Sequence, residues 1–164
     1  MKVRLLSMFA VVALVAACAS DPGAGGAGGA HGGQSAQDAA NSAATAAIKE
    51  YAKSDRVFFD YDKSDVKADA AATVGLWAAW LKTNPATIVT VEGHCDERGT
   101  REYNLGLGER RASAVKDALV AAGVSANRVN TVSYGKEKPA NAGHDDSAWA
   151  ENRRGVILVT GGAS

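Results

Sequence analysis

Between residues 48 and 160 the apolar positions recur with two different periods, and each change of period marks a new element. "RVFFDY" (Arg56 to Tyr61) is aromatic and β-branched, and predicts a strand. Val66, Ala70, Val74, Trp77 and Leu81 then follow at three- and four-residue steps. That spacing predicts a helix with one apolar face, capped by Ser64 or Asp65 and ending at Asn84 before Pro85. "TIVTVEGH" (Thr87 to His94) alternates as a second strand, and a second helix runs from about Arg101 to Ala122, with Gly123 as its stop. "RVNTVSYG" (Arg128 to Gly135) is a third strand, "GKEKPANAGHDD" a polar loop, "SAWAENRR" a short helix and "GVILVT" (Gly155 to Thr160) a buried last strand. Strands alternating with helices over about 115 residues predict one domain, residues 47–164, built as a single sheet with helices packed on it.

The remainder of the chain has a different character. Residues 18–46 are rich in Gly, Ala, Ser, Gln and Asn with almost no large apolar side chain, and read as a flexible tether with a coil dimension of roughly 30 Å. Residues 1–17 have a basic start at Lys2 and Arg4, an apolar run and a small-residue end, the pattern of a secretory signal. The run is shorter than the roughly twenty residues needed to span a bilayer. The "VAAC" ending fits a bacterial lipobox, in which Cys18 is acylated, or an ordinary signal peptide with a chance cysteine. Ala19 in place of Asp goes with sorting to the outer membrane.

Removal of residues 1–17 takes away Lys2 and Arg4 and no acid, leaving 16 basic against 18 acidic side chains. A charge near −2 gives no footprint for a polyanion, so nucleic acid is not an expected partner. With Cys18 acylated only Cys95 remains, no internal disulfide can form, and stability rests on packing.

Candidate chemistry concentrates in "EGHCDERGTREYNLGLGERR" (Glu92 to Arg111). Successive strand side chains point to opposite faces, so His94, Cys95 and Asp96 do not converge on one ion while the extended conformation persists. No CxxC, HxxxH or HExxH spacing occurs, so neither a metal nor another cofactor is expected. His31 and His144 are not obviously placed to activate Cys95, which reads as a small buried side chain. "GLGERR" lies within a helical period and lacks the rest of a phosphate loop.

Arg111 is the informative residue. It lies four after Leu107 and four before Val115, so it belongs to the apolar face of its helix, while Arg110 points about 100° away to solvent. A guanidinium there must be satisfied, either by an internal acid such as Asp96 or by a carboxylate from outside. A tight "DERG" turn lets Asp96 and Arg111 face one another across the mouth of the fold. Left open, they would suit a ligand carrying an amine and a carboxylate on the same carbon.

"FDYDKSDV", "VTVEGHCDERGTREYNLGLGERRASAV", "VSYGKEKP" and "GHDDSAWAENRR" together closely resemble the OmpA-like peptidoglycan-binding domain family, in its branch of peptidoglycan-associated lipoproteins of Tol-Pal systems. The resemblance covers about residues 56–160. It implies an α/β (α+β) sandwich with a mixed sheet of about four strands, and a non-enzymatic wall anchor. It further implies that Asp96 and Arg111 clasp the diaminopimelate of peptidoglycan, that Tyr61 and Asp62 line the site, and that Arg98, Thr100, Asn104 and Leu107 form its wall. The implied partners are peptidoglycan, TolB and, through the lipid, the outer membrane, with the domain facing the periplasm. Cys95 and Asp60 depart from the family pattern, and Asp60 is expected to face solvent.

Overall fold

The computed structural model describes residues 31–163. Its elements are α1 (His31–Ala52), β1 (Arg56–Phe58), α2 (Ala68–Thr83), β2 (Ile88–His94), α3 (Arg101–Ala121), β3 (Val129–Gly135), α4 (Asp146–Asn152) and β4 (Arg154–Gly161). A single 3-10 turn, Ala126–Arg128, leads into β3. The expected signal peptide and the Cys18 acylation site lie outside the described residues.

The four strands form one mixed sheet in the order β1-β4-β2-β3. β2 and β3 are parallel and joined by α3, whereas β4 runs antiparallel to both β1 and β2. A parallel pair needs a crossover of a dozen or more residues, and α3 supplies it. The expected α/β sandwich is therefore present. Val89, Val91, Val115, Leu119 and Ile157 meet Val74, Trp77 and Leu81 of α2 in one core.

The short helix α4 ends at Asn152, and Arg154, expected within it, opens β4; two further boundaries also differ from the sequence expectation. β1 stops at Phe58 instead of Tyr61: Phe59 N–H still bonds the Arg153 carbonyl in register at 2.9 Å, but the chain then turns, with Lys63 N–H on the Asp60 carbonyl at 3.2 Å. α2 begins at Ala68, beyond Ser64 and Asp65, and Lys67 at its N-cap makes no side-chain bond. The intervening turn includes Asp62 at φ 56°, a left-handed conformation that helix cannot continue through.

The flexible tether expected over residues 18–46 is corrected for residues 31–46, which belong to α1. Alanine is the strongest helix former, and the helix is anchored where composition alone gave no hint. Ile48 is fully buried, Ala44 packs against the core, and the Thr45 hydroxyl accepts the Val159 N–H at 2.9 Å. β1 is too short to pair with the whole of β4, so α1 occupies the rest of that edge and satisfies it.

Candidate functional site

The site lies where β2 runs out. A bulge at Gly93/His94 ends regular pairing with β3, and the chain passes through Cys95, Asp96 and the Gly99 turn into α3. Thr100 caps that helix, its hydroxyl accepting the Tyr103 N–H at 3.2 Å. Asn104, buried one turn on, donates to the carbonyls of Arg98 (2.8 Å) and Thr100 (3.1 Å) and so pins the turn. Lys136 holds it from the other side through the carbonyls of Glu97 and Gly99.

The bulge also resolves the facing of the His94–Asp96 run. His94 turns away with Glu92, stacks on Tyr134 at a centroid distance of 5.5 Å, and places Nε2 3.3 Å from the Glu92 carboxylate. Cys95 and Asp96 both line a cavity of about 200 Å³. The strict alternation expected for these residues ends at His94, where the strand does.

Tyr61, Asp62, Asp96, Arg98, Asn104, Leu107 and Arg111 are brought together around this cavity, as are Cys95, Gly99 and Tyr103. Thr100 is not part of the lining, because its side chain is committed to the helix cap. Tyr103 was legible in principle, since it lies four residues before Leu107 on the same helix face. Its hydroxyl donates to the Asp62 carboxylate, an interaction that raises the phenol pKa.

Arg111 is completely buried. Its partners are neither Asp96 nor any other acid among the described residues. Nε donates to the Lys63 carbonyl (2.8 Å), Nη1 to the His94 carbonyl (2.8 Å) and Nη2 to the Asp60 carbonyl (3.1 Å). These three bonds orient the fork but bring no carboxylate into contact with it. Burial pushes the guanidinium pKa down, but arginine does not deprotonate in proteins, so the group stays cationic.

Asp96, 4% exposed, is not left open as the sequence suggested. Oδ1 accepts from Arg98 N (3.1 Å) and Nε (3.3 Å), and Oδ2 from Arg98 Nη2 (2.6 Å) and Arg153 Nη1 (3.3 Å). Burial works to raise this carboxyl, but the bonds from Arg98 and Arg153 outweigh it and hold the group below the usual carboxylate range. A carboxylate has about four lone-pair sites, so all are occupied, two of them by long contacts.

Arg98 is held in its turn by aromatic rings. Its guanidinium carbon lies 4.0 Å from the Tyr61 ring centroid and 4.1 Å from that of Trp149 on α4. Arg153 meanwhile donates Nε to the Phe59 carbonyl at 3.0 Å. The "NRR" run therefore splits its duties: Arg153 reaches Asp96, while Asn152 bonds the backbone of Ala140 and Asn141, and Arg154 the Lys138 carbonyl. Asp60 faces solvent and pairs with Lys67 at 2.9 Å.

Cys95 is unsuited to nucleophilic work. Burial pushes its thiol up, more than nearby Arg111 pulls it down, and its Sγ rests 3.4 Å from the Asn104 carbonyl. His94, the adjacent base, faces the other side of the sheet. Among the described residues no cluster of His, Cys, Asp and Glu could hold a metal, and no helix is long and apolar enough to cross a membrane.

Residues 58–153, more than half of the chain, match the family described as the OmpA family. The peptidoglycan-associated lipoprotein of Rhizobium meliloti is 54% identical over 110 residues, 67% of this chain and 62% of that protein. That of Agrobacterium fabrum is 53% identical over 107 residues, 65% of this chain and 60% of that one. The chain thus spans about three fifths of the length of these relatives. The crystal structure of the peptidoglycan-associated lipoprotein from Burkholderia pseudomallei is 42% identical with a TM-score of 0.64, covering 66% of this chain and 92% of that one. The C-terminal domain of Helicobacter pylori MotB, 20% identical with a TM-score of 0.57 over 64% of this chain and 84% of that one, shares the fold. The matched residues contain every residue that lines the cavity, both of its buried charges among them, and on that match the chain belongs to the OmpA family.

Proposed function

We propose that this chain is an outer-membrane lipoprotein, acylated at Cys18, whose folded domain faces the periplasm and holds peptidoglycan without covalent chemistry. The relatives' name, peptidoglycan-associated lipoprotein, supports the ligand class and the anchor. The observation that carries the reading is Arg111: a fully buried cation, bonded only to carbonyls, at a cavity that it shares with Asp96.

Diaminopimelate fits that arrangement, because its amine and carboxylate share one carbon. The ligand carboxylate lies toward Arg111 and the ammonium bonds Asp96. The ammonium replaces the two 3.3 Å contacts to Asp96 and spares the 2.6 Å bond from Arg98. Each charge-assisted bond contributes roughly 1.5–3 kcal/mol where water is excluded. TolB is the expected periplasmic partner, competing for an overlapping surface, within a Tol-Pal system serving envelope integrity and division.

Co-sedimentation with purified sacculi tests the reading. Binding that free diaminopimelate competes away and lysine does not, with no muropeptide released, is the expected result. Binding indifferent to diaminopimelate would sink the assignment of the ligand. A pull-down with TolB separates the Tol-Pal role from that of a wall anchor that never meets TolB.

A further inference from the structure

The Asp96 carboxylate depends on Arg98, and Arg98 depends on a residue outside the cavity. Arg98 carries three of the four donors to Asp96 but sits partly in solvent on a long side chain, which by itself samples many rotamers. What restrains it is a pair of rings. Tyr61 is 59% exposed and free on one side, whereas Trp149 is fixed by its own bonds. Its Nε1–H donates to Glu97 Oε1 at 2.9 Å, and Glu97 Oε2 in turn meets His144 Nδ1 at 2.7 Å. These two bonds hold the Glu97 carboxyl below its usual range, so it stays an acceptor.

We propose that Trp149 is a positioning residue of the pocket: by clamping the Arg98 guanidinium against Tyr61 it fixes the charge facing Asp96, and so sets the affinity for the ligand. The inference rests on the proposed binding of diaminopimelate at this cavity and adds α4 to the parts that determine it. A cation over an aromatic face is attracted by the ring quadrupole, most strongly by tryptophan, and a clamped side chain loses less freedom when a ligand arrives. The line from His144 through Glu97, Trp149 and Arg98 to Asp96 consists of direct contacts throughout.

Two variants of the whole chain, Trp149→Ala and Trp149→Phe, test this by diaminopimelate titration and by NMR of the Asp96 carboxyl. Trp149→Ala is expected to weaken binding by roughly three- to thirtyfold, the range of a cation–π contact, with an unchanged circular dichroism spectrum. The Asp96 titration midpoint should rise in the same variant, a change that loss of packing elsewhere would not cause. Trp149→Phe keeps a ring face without the indole N–H, and is expected to lie closer to the native chain than to Trp149→Ala in both measurements. Native-like affinity and midpoint in Trp149→Ala would overturn the proposal, as would equal losses in both variants, since the ring would then not be the cause. If the native chain binds no diaminopimelate, the functional reading fails by itself, and the Asp96 midpoint still decides on the clamp.

Discussion

Arg111 and Asp96 line one cavity without bonding each other. Each is satisfied from behind, Arg111 by three backbone carbonyls and Asp96 by Arg98 and Arg153. Had the two been paired, a ligand would have had to break a buried ion pair before making its own. Their separation leaves a cationic fork that feels the Asp96 charge but has no acid in contact with it.

Replacing Arg111 should therefore cost stability as well as binding. Arg111→Met removes a donor from the carbonyls of Lys63, His94 and Asp60, of which Asp60 keeps the Lys63 N–H, and is expected to destabilise by about 3–5 kcal/mol in urea unfolding. Arg111→Lys places its donors on one nitrogen and cannot reach all three carbonyls, which Arg111 bonds from three separate nitrogens. It should fold with a smaller penalty and still fail to retain the chain on sacculi.

Acid should act through Asp96. Its folded pKa lies below the ordinary value, so its contribution to stability is complete above the unfolded carboxyl value of about 3.9 and disappears as pH falls through the folded value. The stability difference between the native chain and Asp96→Asn should be flat above roughly pH 5 and shrink toward zero in acid. A difference that instead grew on acidification would reverse the sign assigned here.

Three glycines near the site should respond differently to a methyl group. A Cβ on Gly93 would stand 1.8 Å from the Gly108 carbonyl oxygen, and one on Gly108 would stand 2.2 Å from Ser133 Oγ. β2 and α3 touch there, one helical turn from Arg111. Gly93→Ala is expected to cost at least about 3 kcal/mol or to prevent folding, by overpacking. Gly106→Ala meets only the mobile end of Arg110 at 3.4 Å, and should stabilise α3 by up to about 1 kcal/mol. Thermal melts of the two alanine variants give the comparison directly.

The bond from Thr45 to the β4 edge gives a test of α1. Thr45→Val is nearly isosteric and leaves the Val159 N–H without its acceptor, which should cost about 1–2 kcal/mol. Amide exchange at Val159 should accelerate selectively. Exchange unchanged by the substitution would mean that α1 does not cover that edge in solution.

The sequence disclosed what local spacing controls. Leu107, Arg111 and Val115 stand one turn apart, so the burial of an arginine on an apolar face could be read directly, as could the strand–helix alternation. What Arg111 bonds could not be read, because its acceptors are carbonyls 17, 48 and 51 residues away and any residue can offer one. Trp149 and Arg153 reach the site from more than 50 residues downstream and leave no periodic trace near Asp96. Residues 31–46 misled for the opposite reason. Their composition resembles that of a linker, and it is contacts made at Ala44 and Thr45 that show the segment to be part of the fold.

The three carbonyls on Arg111 belong to the connection after β1 and to the end of β2, while the arginine itself sits midway along α3. No fragment shorter than that whole span can assemble the grip. The orientation of the fork therefore arrives in a single step with the tertiary structure, and a half-made copy leaves the arginine without its three acceptors.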